Sequence, residues 1–414
     1  MQLVFEDKKK RVVKDKETVT FSSFSSYHLV EITARAKSEK QLGGIATDDE
    51  ELTVNIDGKG YPKLGTKEAL LDSPAAFNGG KLHDFAKTIY FLTYLKGKDH
   101  SVILKTDNPP NTGTFEGIRV SVCPTSDKLE LLPNFQAEDG NNRPWVNFSL
   151  DNVPLLSFAL TITHARRKRD SDDVKVIIDN QVQENILRNI KHFLWSFVGS
   201  FIPLVSPIKT ETQTFNVNLP ESLHYLELEA DRMPTLEKIV FDFGTKLPVP
   251  EGIPIVDNPK WTGDFYDDSP EILLSRLVFG EARNQSKEAK IGVAWSVKNR
   301  LLAKRSYFGF SYHEIILKND GENFQFASMN PNDSSNFPAL TDPLGTQEQA
   351  TGNAWFDSYQ AAVGVIGGAT QDPTDGGVFF HSSDLSQEEF VKDHVPGAIY
   401  IKQIGDFLFY KSPS

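Results

Sequence analysis

The stretch LVFGEAR at residues 277–283 decides how the last third of this 414-residue chain is interpreted. On a helix, Leu274, Leu277 and Val278 occupy positions i, i+3 and i+4 and form one apolar stripe. Glu281 comes four residues after Leu277, so it projects from the same face. A carboxyl group against an apolar surface loses solvation, which raises its pKa and suits it to general acid catalysis. Glu281 is therefore a candidate catalytic acid.

A structural role for Glu281 is the alternative. A glutamate near a helix end often pairs with a neighbouring cation, and Arg283 and Lys287 both follow closely. The apolar spacing by itself does not separate the two roles, so the flanking sequence has to be considered.

Helical signals continue through the region that begins at residue 269. Ser269 suits an N-cap and Pro270 the first helical position, so a helix is predicted over 269–279. Further helices are predicted at 287–304 and 357–368, and a short strand-like segment at 400–410. The region is therefore predicted to be mainly helical.

Further motifs follow the GEAR stretch along the chain. They are an A-x-x-V-x-N-R pattern at Ala294, Val297, Asn299 and Arg300, the segment Phe324-Gln325-Phe326, the segment DPT at 372–374 with Gly376-Gly377 and Phe379-Phe380-His381 behind it, and IGDFLFY at 404–410. In this order they resemble the SleB-type family of cell-wall hydrolases, the spore-cortex lytic enzymes and their relatives. The resemblance covers roughly residues 269–411 and rests on the combination of motifs.

This resemblance implies a lysozyme-like α+β fold and cleavage of the glycosidic bond after N-acetylmuramic acid, by a lytic transglycosylase or a muramidase. The family's catalytic acid corresponds to Glu281, the residue that the helix pattern also selects. The candidate substrate-binding residues are Asn299, Gln325, Phe326, Thr374, Asp375, Phe380 and His381. The sequence departs from the family pattern at Phe407, where the family has histidine, and at Phe380, where it usually has tyrosine.

Several of these residues have structural alternatives. Asn299 fits a hydrogen bond from helix to loop better than a substrate contact, whereas Gln325 and Thr374 fit cleft lining and loop structure equally well. Asp375 is the best candidate for the second carboxylate that a glycoside hydrolase normally uses, but turn chemistry explains it as well. A transglycosylase needs only one acid, because the sugar's own 6-hydroxyl quenches the intermediate.

The region before residue 246 contains an internal repeat. Residues 51–58 and 173–180 both alternate apolar and polar positions before a turn, at an offset of 122 residues (Leu52 to Val174). Residues 95–107 resemble 219–231, and 115–118 resemble 236–239, at offsets close to this value. Both copies consist of short alternating runs separated by turn residues, which is typical of antiparallel β-sandwiches.

The predicted architecture is thus two tandem antiparallel β-sandwich modules followed by a mainly helical lysozyme-like α+β domain. The modules are predicted at 1–122 and 144–245, with a polar connection between them. A proline-rich linker follows at 246–268, and the catalytic domain at 269–414.

Modules of this kind ahead of a glycan-cleaving domain resemble carbohydrate-binding modules, which raise the local concentration of substrate. Sugar rings stack on exposed aromatic side chains, and the candidates are Phe77, Tyr90, Tyr94, Trp195 and Tyr225. Most aromatic residues on strands are core residues instead. The modules fit spacers or protein-docking domains equally well.

Composition excludes several other classes. The net charge of −12 disfavours nucleic acid, and acidic residues follow directly on the basic run at 166–169. No apolar run approaches the length of a membrane span, and the nine histidines form no zinc motif, so no metal or cofactor is expected. With the single cysteine Cys123, no intrachain disulfide can form.

The predicted partners are peptidoglycan strands, with other polysaccharides as further candidates for the modules. This predicts action outside the cytoplasm, although the N-terminus, with its apolar residues before the Lys8–Arg11 charges, lacks the order of a signal peptide. The rival hypotheses are a non-catalytic wall-binding protein and an N-acetylmuramoyl-L-alanine amidase. The presence of Glu281 argues against the first, and the lack of a metal motif or nucleophile motif against the second.

Overall fold

The computed structural model describes residues 1–44, 46–67, 69–107, 112–167, 170–184, 194–199, 208–321, 323–347 and 353–413. The chain divides into two compact units, Met1–Val249 and Pro250–Ser414. Lys168 and Arg169 of the basic run lie outside the described residues. None of the described helices combines the length and the apolar character that crossing a bilayer requires.

The first unit is rich in strands, as predicted. Its strands are β1 Gln2–Asp7, β2 Arg11–Val13, β3 Lys16–Ser22, β4 Ser26–Arg35, β5 Glu51–Ile56, β6 Lys59–Gly60, β7 Phe77–Asn78, β8 Lys87–Leu95, β9 Asp99–Thr106, β10 Gly113–Val122, β11 Lys128–Leu131, β12 Phe135–Gln136, β13 Arg143–Asp151, β14 Leu155–Arg167, β15 Asp170–Ser171, β16 Asp173–Ile178, β17 Gln181–Val182, β18 Phe197–Val198, β19 Ile208–Leu219, β20 Leu223–Asp231 and β21 Thr235–Asp242. The described helices of this unit are the short α1 Glu39–Leu42 and α2 Gly79–Leu82.

The strand orders in the two halves of this unit correspond. The order β1-β10-β4-β8 in the first half matches β11-β21-β14-β19 in the second, and β3-β9-β5-β6 matches β13-β20-β16-β17. Strands β8 and β13 pair in parallel, so one sheet of the first half continues directly into a sheet of the second. The two halves therefore share a backbone hydrogen-bond ladder.

Each half has a hydrophobic core to which both of its sheets contribute. In the first, Val30 and Ile118 from one sheet join Val54 and Leu104 from the other. In the second, the corresponding layers include Leu160, Ile239, Val176 and Leu228. The period-two burial of strands such as β9 follows from this packing, because alternate side chains point to opposite faces.

The polar connection predicted between the modules is partly wrong. It contains β11 and β12, which both pair with β21 in the second half. Polar and turn-forming residues surround these short strands, and this composition concealed the alternating residues of β11.

The hairpin turn of the repeat has the same polar contacts in both halves. Asp57 and Asp179 have φ angles of 49° and 48°, in the left-handed region that aspartate tolerates. Each carboxylate contacts a histidine Nδ1, that of His100 at 2.8 Å and that of His224 at 2.7 Å. Each also accepts from the next backbone N–H along the histidine's strand.

Stability of the first unit should depend on His224 as the pH changes. Burial by itself lowers the pKa of His224, but the hydrogen bond and charge of Asp179 outweigh it, so the pKa is raised above its ordinary value of 6.5. The stabilisation is then fully present below about pH 6.5 and is lost as the pH rises through the folded-state pKa. We expect His224→Gln to reduce the fall in melting temperature between pH 6 and pH 8. The exposed His83→Gln is the control, and equal pH dependence in both variants would contradict this role.

The second unit is mainly helical, as predicted. Its elements are α3 Pro270–Ala282, α4 Lys287–Ala303, α5 Tyr312–Ile316, α6 Phe337–Thr341, α7 Pro343–Gln347, α8 Ala354–Ile366, β22 Phe379–Ser382, α9 Gln387–Asp393, β23 Ile399–Ile404 and β24 Phe407–Lys411. The three strands form an antiparallel sheet in the order β22-β24-β23. Ser269 caps α3 as predicted, accepting from the N–H of Ile272.

Helix α3 is the centre of this unit. All residues from Ile272 to Gly280 are buried, and α3 packs against α4, α5, α6 and α8. A helix buried on all sides has no polar face, so only its ends can carry polar groups at little cost. Glu281 lies at such an end, one residue before the last of the helix.

The proline-rich linker prediction is wrong for residues after 249, which belong to the second unit. Trp261 packs against Phe265 and Phe337, with ring centroids 5.0 and 5.6 Å apart. Asp268 is completely buried and forms an ion pair with Arg276 of α3. The prolines therefore shape a segment that packs onto α3 and its neighbours.

Candidate active site

The carboxyl group of Glu281 is held by one short turn. Its Oε1 accepts a hydrogen bond from the backbone N–H of Ser328 at 3.0 Å. Ser328 lies in a 3-10 turn at Ala327–Met329, immediately after the predicted Phe324-Gln325-Phe326 segment. One backbone donor thus fixes the orientation of the carboxyl group.

The position of this turn depends on Gly280. An ideal Cβ at residue 280 would lie 2.8 Å from the Cβ of Ser328, closer than side chains tolerate. The glycine before the catalytic candidate therefore allows the Ser328 turn to approach helix α3. This gives a physical reason for the glycine in the GEAR stretch.

The electrostatic surroundings of Glu281 favour the protonated form. Burial raises the pKa of Glu281 and the negative charge of Asp333 adds to this effect, whereas Ser328 and the positive charge of Arg300 oppose it. The alternative in which Glu281 pairs with Arg283 does not occur, since Arg283 donates to the Asn336 side chain at 2.8 Å. Within the described ranges, no ion pair involves Glu281.

Arg300 is the cation whose charge lowers the pKa of Glu281, and its side chain is buried. Its Nε donates to the carbonyl of Val378 at 2.7 Å, and its Nη1 donates to Oε1 of Gln325 at 3.1 Å. Its guanidinium lies over the Phe326 ring, 4.6 Å from the centroid. Burial lowers the pKa of Arg300 to about 10, so it stays charged at neutral pH.

Three of the predicted substrate-binding residues lie around this arginine or next to its partners. Gln325 is exposed and bonded to Arg300, whereas Phe326 is buried. Phe380 packs against Phe326 and against Phe407, with ring centroids 6.2 and 5.3 Å apart. Phe407, which replaces the family's histidine, is therefore a buried packing residue in this chain.

A second predicted group forms a separate hydrogen-bond network. Asn299 Nδ2 donates to Asp372 Oδ2 at 2.9 Å, to Thr374 Oγ1 at 3.3 Å and to the carbonyl of Gly377 at 3.0 Å. This supports the structural alternative for Asn299, which is a hydrogen bond that joins helix α4 to the loop at 372–377. Thr374 is fully buried and bonds to Asp372, which supports its alternative role in loop structure.

The side chains of Asp375 and His381 both interact with other residues of the protein, away from Glu281 and Arg300. Asp375 is an exposed turn residue with a φ of 53°, and it pairs with Lys402 at 2.8 Å. His381 is 9% exposed, and its two ring nitrogens contact the carbonyl of Ser382 and the hydroxyl of Tyr410. Because residues alternate along β22, His381 lies on the face opposite Phe380. Substrate binding by His381 is not supported by these contacts.

Removing the Asn299 amide should destabilise the loop at 372–377 more than it affects substrate affinity. We expect Asn299→Ala to lower the free energy of unfolding by about 1–3 kcal/mol, because Asp372 loses a donor in a partly buried site. The measurement is thermal denaturation together with KM for glycan cleavage. Lys287→Ala, at an exposed position of the same helix, is the control. A raised KM with unchanged stability would instead indicate a substrate contact.

Sequence reasoning missed the groups that act on Glu281. Arg300 comes from the next helix, and Ser328 and Asp333 come from a turn and a loop much further along the chain than Glu281. Arg300 was recognised only as part of a motif, and a buried arginine has no periodic signature. The adjacency of the Gln-Phe segment to Ser328 was the one available signal.

The aromatic candidates of the first unit are mostly core residues. Phe77, Tyr90 and Tyr225 are at most 5% exposed, and Tyr90 stacks on Phe148 across the β8–β13 junction. Tyr94 and Trp195 are partly buried, and Trp195 lies under the Lys175 ammonium. The burial of Phe77, Tyr90 and Tyr225 therefore contradicts the idea that sugar rings stack on these three side chains.

Residues 284–410 match the family model described as Cell Wall Hydrolase. This part of the chain is a cell wall hydrolase domain, and the predicted family resemblance is confirmed for it. The match begins three residues after Glu281 (281 to 284), so the catalytic role of Glu281 stays a prediction.

Solved structures also show similarity. The catalytic domain of the germination-specific lytic transglycosylase SleB from Bacillus anthracis is 20% identical, with 39% of this chain and 100% of that chain covered, at a TM-score of 0.24. The catalytic domain of the Bacillus cereus SleB protein is 21% identical, with 34% and 89% covered, at a TM-score of 0.24. The extracellular domain of ANXUR2 from Arabidopsis thaliana is 8% identical, with 58% and 83% covered, at a TM-score of 0.20. At these TM-scores none of them bears on function. No curated protein matches this chain.

Proposed function

We propose that the C-terminal domain cleaves the glycosidic bond that follows N-acetylmuramic acid in peptidoglycan, with Glu281 as the general acid. The observation that carries this proposal is the desolvated carboxyl group of Glu281, with its raised pKa and its single backbone donor from Ser328. It lies in the same compact unit as the cell wall hydrolase match. We further propose that this unit has a lysozyme-like fold.

The chemistry proceeds in two proton transfers. Protonated Glu281 donates its proton to the glycosidic oxygen, and the bond from the anomeric carbon to that oxygen breaks. The resulting carboxylate accepts the proton of the muramic acid 6-hydroxyl, whose oxygen attacks the anomeric carbon and closes a 1,6-anhydro ring. Glu281 ends protonated, as it began. Ser328 N–H and the charge of Arg300 stabilise the carboxylate between the two transfers.

The surroundings of Glu281 favour this transglycosylase route over hydrolysis. A hydrolase normally uses a second carboxylate. Asp333 acts on Glu281 electrostatically, but its Oδ1 accepts from the backbone amides of Ser335 and Asn336 at 3.0 and 2.9 Å. Its Oδ2 accepts from the Asn336 side chain at 2.8 Å. Asp375 is paired with Lys402.

For the first unit we propose two tandem antiparallel β-sandwich modules that bind glycan, the first within 1–122 and the second beginning with β11, because β11 and β12 pair with β21. The corresponding strand orders, and the hydrophobic core that both sheets of each half build, support the tandem arrangement. Glycan binding would hold the enzyme at the cell wall and raise the local concentration of substrate. The proposed site of action is outside the cytoplasm, in the cell envelope or secreted.

Product analysis tests the enzymatic proposal. Purified peptidoglycan is digested with the wild-type protein and with Glu281→Gln, and the soluble fragments are identified by mass spectrometry. We expect fragments ending in 1,6-anhydro-muramic acid from the wild type alone. Reducing muramic acid ends would indicate hydrolysis, and free stem peptides would indicate an amidase. No release from either protein would leave a wall-binding protein.

A further inference from the structure

A polar cavity of about 110 Å³ lies in the first unit, where its two halves meet. On the same measure a single water needs roughly 10–15 Å³, so the cavity has room for a larger ligand. The charged and amide side chains that matter for its chemistry are those of Lys63, Asp72, Lys81, Lys87, Asn180 and Glu227. Lys87 is part of the buried wall, whereas Lys63, Asp72, Lys81 and Asn180 are exposed and form the rim.

Among the described residues, the buried lysine forms hydrogen bonds to backbone carbonyls and no ion pair. Lys87 is 4% exposed, and its Nζ donates to the carbonyls of Pro74 and Ala76 at 2.6 and 2.9 Å. An ammonium group has three donors, so one remains for a group in the cavity. Burial lowers the pKa of Lys87 to about 8, which leaves it mostly charged at neutral pH. The charge of Glu227, which lines the same cavity, acts on Lys87, but no ion pair joins the two among the described residues, so the remaining donor of Lys87 faces the space in which an anion would be bound.

The rim adds further positive charge. Among the described residues, neither Lys63 nor Lys81 has an ion pair, and the lining as a whole contains three lysines against Asp72 and Glu227. This local excess occurs in a chain whose net charge is −12. Asp72, Glu227 and Asn180 supply acceptors and an amide donor suited to hydroxyl groups.

The cavity depends on both halves. Asn180 and Glu227 come from the second half, and Lys63, Asp72 and Lys87 from the first. The loop that carries Lys63 and Asp72 is tied to the second half, since the hydroxyl of Tyr225 donates to the carbonyl of Pro62 at 2.7 Å and accepts from Ser73 Oγ at 3.3 Å. Together with the β8–β13 ladder, these bonds hold the lining groups in place before any ligand arrives.

We propose that this cavity binds an acidic saccharide, a sugar residue whose carboxylate contacts the lysines while its hydroxyl groups bond to Asp72, Glu227 and Asn180. This inference rests on the glycan-binding role proposed for the first unit, and it identifies the site and the ligand class. The same chemistry occurs in uronic acids and in muramic acid without a stem peptide, since the peptide is joined through the lactyl carboxyl group. Stacking on the buried aromatic rings plays no part in it.

Isothermal titration calorimetry on the full chain tests the proposal with D-glucuronate, N-acetylmuramate and D-glucose as probes. The rim variant carries Lys63→Met and Lys81→Met, both at exposed positions where folding is little affected. We expect at least one acidic sugar to bind about 10-fold more tightly than glucose, and the rim variant to lose this preference. Lys105→Met, exposed on β9 outside the cavity, should bind as the wild type does.

The two acidic probes separate the possible sources of the carboxylate. Preference for glucuronate indicates a uronic acid polymer, and preference for N-acetylmuramate indicates wall glycan from which the stem peptides have been removed. Lys87→Met, checked for folding by circular dichroism, should weaken the binding of the same probe. If acidic sugars bind but all lysine variants match the wild type, the cavity proposal is wrong and the glycan-binding proposal stands. If no sugar binds the wild type, both fail.

Discussion

Replacing Glu281 by glutamine is expected to lower the rate of peptidoglycan cleavage by about 10²- to 10⁴-fold. Glutamine keeps the shape of the side chain and can still accept from the Ser328 N–H, but it has no proton to donate to the glycosidic oxygen. The measurement is release of soluble fragments from purified peptidoglycan at saturating substrate. Glu288→Gln, at an exposed position in the first turn of α4, is the matched control and should retain full activity.

The pH profile gives an independent readout of the same group. General acid catalysis requires protonated Glu281, so activity should fall as the pH rises through its pKa. Because burial raises that pKa, the fall should occur at a higher pH than an ordinary glutamate with a pKa of 4.5 would give. Residual activity of Glu281→Gln close to the wild-type rate, with the same profile, would assign the acid to another residue.

The helical pattern selected Glu281, but only together with the flanking motifs did it favour a catalytic role over a structural one. Ser269 and Pro270 determine where α3 begins, and the spacing of Leu274, Leu277 and Val278 places Glu281 beside apolar side chains, although in the structure the helix is buried on all sides. The helix continues three residues beyond the predicted end at Phe279, to Ala282, and so includes Glu281 (279 to 282). Local rules place a residue on one face of one helix, and its catalytic role stays a prediction.

The rest of the site depends on contacts between distant segments, which local rules do not contain. Thr374 and Asn299 belong to a motif, yet their hydrogen bonds to Asp372 use them to hold a loop. A motif indicates that a residue type is needed at a position. It does not show whether that residue binds substrate or stabilises the protein. For His381 the period of a strand was informative, because a residue adjacent to Phe380 must point to the other face.

The repeat illustrates the same limit in the first unit. The offset between residues 52 and 174 identified corresponding hairpins, and these have equivalent Asp–His contacts in the structure. The parallel pairing of β8 with β13 had no signal in the sequence, because each strand alternates in the same way whichever partner it has. That pairing is what creates the cavity between the two halves.

Replacing Arg276 by methionine is expected to reduce the stability of the second unit by about 3–5 kcal/mol. Arg276 and Asp268 are both completely buried, and the guanidinium donates to the carboxylate through Nε at 2.7 Å and Nη2 at 3.0 Å. Without the arginine, the carboxylate remains buried with no cation beside it. Urea denaturation followed by the loss of peptidoglycan digestion measures the effect. Arg305→Met, which removes an exposed arginine of the same unit, should change the midpoint little.

A double variant separates the value of the ion pair from the cost of breaking it. Asp268→Leu combined with Arg276→Met removes both charges and leaves apolar groups of similar size, so most of the stability should return. Recovery should be incomplete, because Arg276 Nη1 also donates to the carbonyl of Leu340 at 2.7 Å, and a buried acceptor without a donor costs about 1–3 kcal/mol. Should the double variant be as unstable as Arg276→Met alone, the buried carboxylate would not be the source of the loss. The segment before α3 would then contribute through packing of Trp261 and Phe265 rather than through this charge.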